Sequence, residues 1–237
     1  MKKNKINRYL KNIGKILISV ILLYFVFQKI PFREVTKLWS NINFIYLLIA
    51  SLLFLASQII STKRLELFFK ANNFHLSFYS NLKLYFIGMF YNFFIPGGIG
   101  GDAFKVYILN KNFDWNAKKI TSSLFNDRLS GLLAICTLIL AISFNLFEIK
   151  YFPIIIVLEV IGIFFTYFLT KKMFSSYRFI FFKAFFYSIL VQVLQVICFI
   201  FILLSFNVTN NFSIYSVIFL ASSILSLISF AGIGIRE

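Results

Sequence analysis

The sequence predicts an all-α integral membrane protein: a polytopic helix bundle with about six to seven hydrophobic segments, two of them glycine-broken or re-entrant. Three observations carry that expectation. Of 237 residues, 60% are hydrophobic and 14% charged, whereas a soluble domain has about 25% charged residues. The apolar residues form long blocks rather than one-sided stripes, as a chain in contact with hydrocarbon requires. Two glycine-rich breaks carrying charges interrupt those blocks. One is Asn92-Phe93-Phe94-Ile95-Pro96-Gly97-Gly98-Ile99-Gly100-Gly101-Asp102-Ala103-Phe104-Lys105, and the other is Ser229-Phe230-Ala231-Gly232-Ile233-Gly234-Ile235-Arg236-Glu237.

Residues 1–15 hold six basic side chains and no acidic one, and an apolar run follows at 16–27. That run passes into Gln28-Lys29-Ile30-Pro31-Phe32 without the small-residue cleavage site of a signal peptide, so 13–30 reads as a retained first transmembrane helix. Lys15 and Lys29 lie near its ends, where long side chains reach the interface. Further blocks near the ~20 residues needed to span run over 44–60, 84–109 (broken), 122–146, 152–169, 184–206 and 214–235 (broken again). The longest polar stretch, 61–83, reads as a connector whose amphipathic piece 64–70 lies in the membrane interface. The Phe-rich tract 177–187 reads the same way. The whole chain, 1–237, is expected to be one transmembrane domain without a soluble one.

Lys and Arg number 24 against 8 Asp and Glu, a net charge of +16. The basic residues cluster in the connections between apolar blocks, and no basic soluble domain exists to carry a nucleic-acid site. They are expected instead to fix topology and to meet anionic headgroups. With a cytoplasmic N-terminus, and with 84–109 dipping in and returning on the same side, segments 1–15, 61–83, 110–120 and 170–183 hold 17 Lys or Arg. The opposite loops 28–43, 147–151 and 207–213 hold 4. A full crossing by 84–109 would put 110–120 and 170–183 outside, against the positive-inside bias. The expectation is therefore a re-entrant segment in a multi-pass protein of the plasma membrane.

Cys136 and Cys198 stand singly in apolar blocks, and His75, the one histidine, lies in a polar loop. Disulfide frameworks, metal sites and histidine triads need clustered ligands. No metal and no cofactor is expected; the cysteines read as packing residues and His75 as solvated.

Unwound backbone at membrane depth is tolerated only where protein or a water-filled cavity covers it, and paired breaks in the two halves of a chain point to a binding site. A charge at the bilayer centre costs at least about 2.5–3.5 kcal/mol. Asp102 and Lys105 follow the first break at i, i+3 spacing and share a helix face. Asp127 and Arg128 sit early in the fourth block, with Gly131 one turn on, and Arg236 and Glu237 follow the second break. Each set holds one acid and one base and is expected to neutralise itself. The structural alternative is that ion pairs lock helices and glycines permit close packing. Glu159 is a weaker case, either pairing across helices or lining the cavity. Asn126, Gln192 and Gln195 read as interhelical hydrogen-bonders.

The start of a helix after a break offers unpaired N–H groups and partial positive charge. Lys105, Arg128 and Arg236 add full charges suited to phosphate, while Asp102, Asp127 and Glu237 balance them or exchange protons. Aromatic residues Tyr85, Phe86, Phe90, Tyr91, Phe93 and Phe94 offer walls for acyl or prenyl chains, although a chain with 34 Phe has such bulk everywhere. The implied ligand is a membrane lipid with a phosphate-bearing head, an anionic phospholipid or a polyprenyl phosphate.

These residues resemble the transmembrane domain of lysylphosphatidylglycerol synthases and their stand-alone flippase-like relatives. The family pattern has an Asn, then Pro-Gly, Gly-Gly-Asp and a basic residue three positions on, which Asn92, Pro96, Gly97, Gly100, Gly101, Asp102 and Lys105 fit, with Gly98 inside the motif. An acid–Arg pair with a glycine three residues later matches Asp127, Arg128 and Gly131. A final Gly-Gly-x-Gly-x-Arg-Glu signature is met at Gly232, Gly234, Arg236 and Glu237. Departures are Lys105 where Arg is usual, which loses the bidentate fork, Ala231 for the first glycine of the last motif, and Leu227 where proline is common. Relatives continue through further helices beyond the last motif, so the chain is expected to be a fragment of a longer protein. The soluble aminoacyl-transferase domain of the two-domain members has no counterpart here. The resemblance therefore implies the lipid-translocating part, not that enzyme activity. Two other functions compete: a membrane-embedded transferase acting on a lipid-linked sugar or amino acid, and a non-catalytic partner of a lipid-synthesis enzyme or glycosyltransferase. No nucleophile–base pair supports the first.

Overall fold

The computed structural model describes residues 42–94, 100–145 and 152–228. The first transmembrane segment 13–30, the centre of the first break and the whole second break lie outside the described residues. Among the described residues seven α-helices follow in order: α1 (Phe44–Lys70), α2 (Phe78–Phe94), α3 (Gly100–Phe113), α4 (Ala117–Ile142), α5 (Phe152–Met173), α6 (Phe181–Ser205) and α7 (Phe212–Ile228). No strand occurs among the described residues. The chain is a polytopic helical membrane protein: α1, α4, α5 and α6 are long and apolar enough to cross a bilayer.

Helix α1 corrects the sequence reading. Its apolar block stops at 60, but nothing between 60 and 70 breaks a helix, and the residues at Ser57, Ser61, Arg64, Leu65 and Phe68 continue one buried face. The helix therefore runs ten residues into the stretch expected to be an interfacial connector. It ends where Asn73 takes a left-handed conformation (φ 61°), with Phe74 N–H donating to Phe69 O and Asn73 N–H to Lys70 O, both at 3.0 Å. Asn207 ends α6 in the same way (φ 61°).

Helix α1 packs most extensively on α6, which also lies against α4. The contact faces are rich in small residues, including Ala50, Ser57, Ser61, Ala184 and Ser188, all buried. Small residues let helices approach closely where lipid removes any hydrophobic drive for association. Cys198 Sγ lies 3.2 Å from Ala50 O across this interface, which gives that thiol its packing role. Outward-facing Leu48, Leu52, Ile59, Ile154, Leu158 and Phe165 are all exposed, as expected of surface that meets acyl chains.

One end of the bundle is tied by polar contacts. Tyr177 is 1% exposed; its hydroxyl accepts from Asn72 Nδ2 at 2.6 Å and lies 2.7 Å from Ser122 Oγ. Asn72 Nδ2 also donates to Ser123 Oγ at 3.0 Å. The tract expected to lie flat at the interface is thus split: Tyr177, Phe181 and Ala184 are buried, while Phe179, Phe182 and Phe186 face outward. Phe74 and Trp115 stack at 4.4 Å between the start of α2 and the start of α4. Segments around 72, 115 and 177 therefore gather at one end, bringing together three of the basic stretches counted above. Tyr177→Phe is expected to lower unfolding stability in micelles by about 1–2 kcal/mol, since it leaves Asn72 and two serines short of a partner. Phe179→Ala, on an exposed side chain, should stay within about 0.5 kcal/mol of wild type, and thermal unfolding of both measures the contrast.

Candidate functional site

The site is built where α2, α3, α4 and α1 converge, and it begins with the break. Helices α2 and α3, of 17 and 14 residues, pack against each other on either side of it. Gly101 makes the approach possible: a Cβ there would lie 2.1 Å from Gly88 O and 2.9 Å from Asn92 Oδ1. A Cβ on Gly88 would lie 2.7 Å from Lys105 Cε. Asn92 Oδ1 accepts the Gly101 N–H at 2.7 Å, so this side chain of α2 caps the first turn of α3. That donor, expected to be open for an anionic ligand, is thus taken within the protein. Gly100 is buried beside it.

Asp102 stands in the first turn of α3, where a carboxylate is favoured by the helix dipole. It meets two cations. Lys105 Nζ is 3.7 Å from its Oδ1, and Arg128 Nε donates to its Oδ2. Lys105 is 7% exposed, and its ammonium also lies over the Tyr85 ring at 4.5 Å from the centroid, a favourable seat for a desolvated cation. Tyr91 stacks on Phe104 at 4.4 Å, closing the α2–α3 seam with two aromatic rings.

Asp127 and Arg128 do not neutralise each other. Adjacent helical residues point about 100° apart and do not face one another, so each side chain serves a different neighbour. Arg128 turns to Asp102 on α3. Asp127 turns to Arg64 on α1, whose Nε and Nη2 donate to Asp127 Oδ1 and Oδ2 at 2.8 and 3.0 Å. This is the bidentate fork that guanidinium and carboxylate geometry favours. The third arm, Nη1, donates to Ser188 Oγ of α6 at 2.9 Å, and Ser188 Oγ donates to Ser130 Oγ at 3.1 Å. Gly131 completes the seat, since a Cβ there would lie 3.3 Å from Arg64 Nη1.

The two pairs differ in access. The side chains of Arg64 and Asp127 are 7% and 10% exposed, which seals them among α1, α4 and α6. Those of Arg128 and Asp102 are 31% and 18% exposed. Asp127 lies ten residues into α4, roughly 15 Å from its start at 1.5 Å per residue, but only five residues into the apolar block 122–146, and Arg64 lies four residues past the apolar block 44–60, so both pairs sit near one edge of the apolar length of the bundle. Arg64 and Gly88 are the site residues that sequence reasoning missed. The first continues the buried spacing of α1 and the second stands one turn before Asn92 on the same face of α2.

Pro96, Gly97, Gly98, Gly232, Gly234, Arg236 and Glu237 lie outside the described residues, as do the side chains of Phe93 and Phe94. Phe86 and Phe90 face outward. Asn126 donates to Ser122 O of its own helix at 2.9 Å, not across to another. Glu159 does pair across helices, accepting from Thr137 Oγ1 at 2.5 Å.

The close approach at Gly101 makes a contrast with Gly162, where an added Cβ meets nothing within 4 Å. Gly101→Ala should destabilise the protein by about 1–3 kcal/mol through overpacking. Gly162→Ala should be neutral or stabilising by up to about 1 kcal/mol from helix propensity. Thermal unfolding of the two variants in one detergent checks the difference.

Comparison with curated proteins and with solved structures gives no match. The profile of the lysylphosphatidylglycerol synthase TM region matches residues 12–183, a span that takes in the first break, Asp102, Lys105 and the Asp127–Arg128 pair and stops short of the second break. With well over half of its 237 residues inside that match, the chain belongs to the lysylphosphatidylglycerol synthase TM-region family.

Proposed function

We propose that the protein translocates a lipid with a phosphate-bearing head, an anionic phospholipid or a polyprenyl phosphate, across the bilayer. The observation that carries this reading is the partly open Asp102–Arg128 pair, set where α3 begins after the break, beside an ion pair that is sealed. A head group crossing hydrocarbon needs charged partners along its path, because an unpaired charge there is costly. Arg128 and Lys105 supply cations on two different helices, and Asp102 holds both in place until phosphate competes for them. The sealed Arg64–Asp127 pair holds the framework on which Arg128 is mounted. Arg236 and Glu237 of the second motif are proposed to face the same path, with Pro96, Gly97 and Gly98 lining it from the first break and Gly232 and Gly234 from the second.

The topology proposed with it has a cytoplasmic N-terminus in the plasma membrane, and α2 and α3 as a re-entrant pair. Three observations support this: the shortness of both helices, the Asn92–Gly101 link across their inner ends, and the return of their outer ends to the stacked Phe74–Trp115 region.

The test is leaflet exchange in liposomes that carry the full-length protein and labelled phosphatidylglycerol or labelled polyprenyl phosphate. Exchange above protein-free vesicles is expected for at least one of the two. Asp102→Asn and Arg128→Gln should each slow it at least about tenfold, the loss of roughly one charge-assisted hydrogen bond; Arg128→Gln, which leaves Asp102 facing Lys105, should keep an unfolding temperature near wild type, whereas Asp102→Asn strands the buried Lys105 and should lower it. Arg128→Lys should recover part of the rate. Exchange that is absent for both lipids, or that is indifferent to both substitutions, contradicts the reading.

A further inference from the structure

Among the described acids inside the bundle, one lacks the kind of partner that the others have. Asp102 and Asp127 each face a cation. Glu159 of α5 is met by a hydroxyl instead, Thr137 Oγ1 of α4 at 2.5 Å from its Oε1. The Cys136 thiol lies near it on α4 and brings no positive charge. No Lys, Arg or His occurs at 129–142, 152–170 or 184–228, so the neighbouring lengths of α4, α5, α6 and α7 offer no cation. Arg128 is turned to Asp102 and stands nine residues before Thr137, roughly 13 Å away along α4.

Glu159 lies within the apolar block 152–169, with seven uncharged residues before it and ten after, roughly 10 Å from the start of α5. An ionisable group so placed is costly and marks a site. It is half-buried, so one side of the carboxylate is accessible.

The face of α5 around it is open. The helix has 6% of its apolar window buried, the least of the four long helices. At Gly88, Gly101 and Gly131 an added Cβ would meet a neighbour within 3.3 Å, because another element comes close there; at Gly162 it meets nothing within 4 Å. Gly162 follows Glu159 by three residues and shares its side of the helix. A small residue on a lipid-facing helix permits close approach by another helix. Four residues further on, Thr166 opens a groove of about 690 Å³, walled by Thr166, Leu169 and Thr170 of α5 and by Thr121, Phe125 and Leu129 of α4. The three- and four-residue spacing puts Glu159, Gly162, Thr166 and Thr170 on one strip, roughly 16 Å long.

A strip that is mostly apolar and acidic at one end suits a helix better than a lipid. Acyl chains would cover it but offer the carboxylate no donor. A cationic side chain reaches this depth on a backbone whose own hydrogen bonds are satisfied, which in hydrocarbon means a helix. We infer that the α4–α5 strip docks a transmembrane helix of another membrane protein, apolar along the groove and carrying one Lys or Arg at the depth of Glu159. Gly162 lets the two backbones close, and the cation and Glu159 neutralise each other. The site is separate from the Asp102–Arg128 pair and stands whether or not the protein moves lipid.

The probe is a synthetic leucine–alanine helix of about 22 residues with a single Lys about seven residues from one end, compared with the same peptide bearing Leu there. Energy transfer between labelled full-length protein and labelled peptide in phosphatidylcholine vesicles measures association. The Lys peptide should associate at least about tenfold more tightly, the gain from one close charge pair shielded from water. Glu159→Gln, which keeps a hydrogen-bond partner for Thr137, should bring the Lys peptide to the level of the Leu peptide. Glu66→Gln, at an acid that pairs with Lys70 on α1, should leave the preference unchanged. Gly162→Leu should weaken both peptides. Equal association of the two peptides with wild-type protein, a Lys preference that survives Glu159→Gln, or indifference of both peptides to Gly162→Leu overturns the inference. So does a dimer that Glu159→Gln dissociates, because a second copy would then occupy the strip. Should Glu159→Gln unfold, the two peptides on wild-type protein and on Gly162→Leu decide it.

Discussion

The structure depends on one buried fork, Arg64 of α1 on Asp127 of α4. Taking two charges out of water costs several kcal/mol each, and only near-ideal geometry with every remaining polar arm satisfied offsets that. Here both carboxylate oxygens accept from the guanidinium, the third arm reaches Ser188 of α6, and Gly131 leaves room for the planar group. The pair fixes the rotation of α4 relative to α1 and α6, and the direction of Arg128, one residue on, follows from it. Lysine in place of Arg64 would keep the charge and lose the fork.

The break depends on that rotation in turn. Asp102 needs Arg128 at its second oxygen, and Arg128 points to α3 only because Asp127 is committed to the other side of α4. Gly88 and Gly101 then let α2 and α3 touch backbone to backbone, and Asn92 takes up an amide that a helix start would otherwise leave without a partner. Small residues, one amide side chain and two crossed ion pairs therefore place a partly open charge pair between the short α3 and the long α4. The same contacts hold Lys105 against Tyr85, so a charged ammonium is kept in apolar surroundings by a ring face and a carboxylate.

Much of this was legible in the sequence, and the omissions have physical causes. Long apolar blocks gave away the helices from α4 to α7, because burial in lipid leaves little room for other patterns. Helix α1 was cut short because hydropathy falls at residue 61 while backbone helicity does not, and that cost Arg64, half of the central pair. The break and its Asp102 and Lys105 were visible because glycine and charge are so rare in such blocks. Which acid meets which base was not visible: neighbours in sequence look like partners, whereas a helix turns them about 100° apart. Gly88 gave only the faint signal of standing four residues before Asn92, since the need for glycine there comes from α3, which is remote in sequence.

The most direct measurement of the central claim is a double-mutant cycle on Arg64 and Asp127, read by unfolding in a single detergent. Arg64→Met and Asp127→Leu should each cost about 3–5 kcal/mol, because each strands a buried charge. The double variant should lose much less than their sum, since it strands none. Losses that add, or single substitutions that cost less than about 0.5 kcal/mol, would mean that the two side chains do not meet inside the bundle.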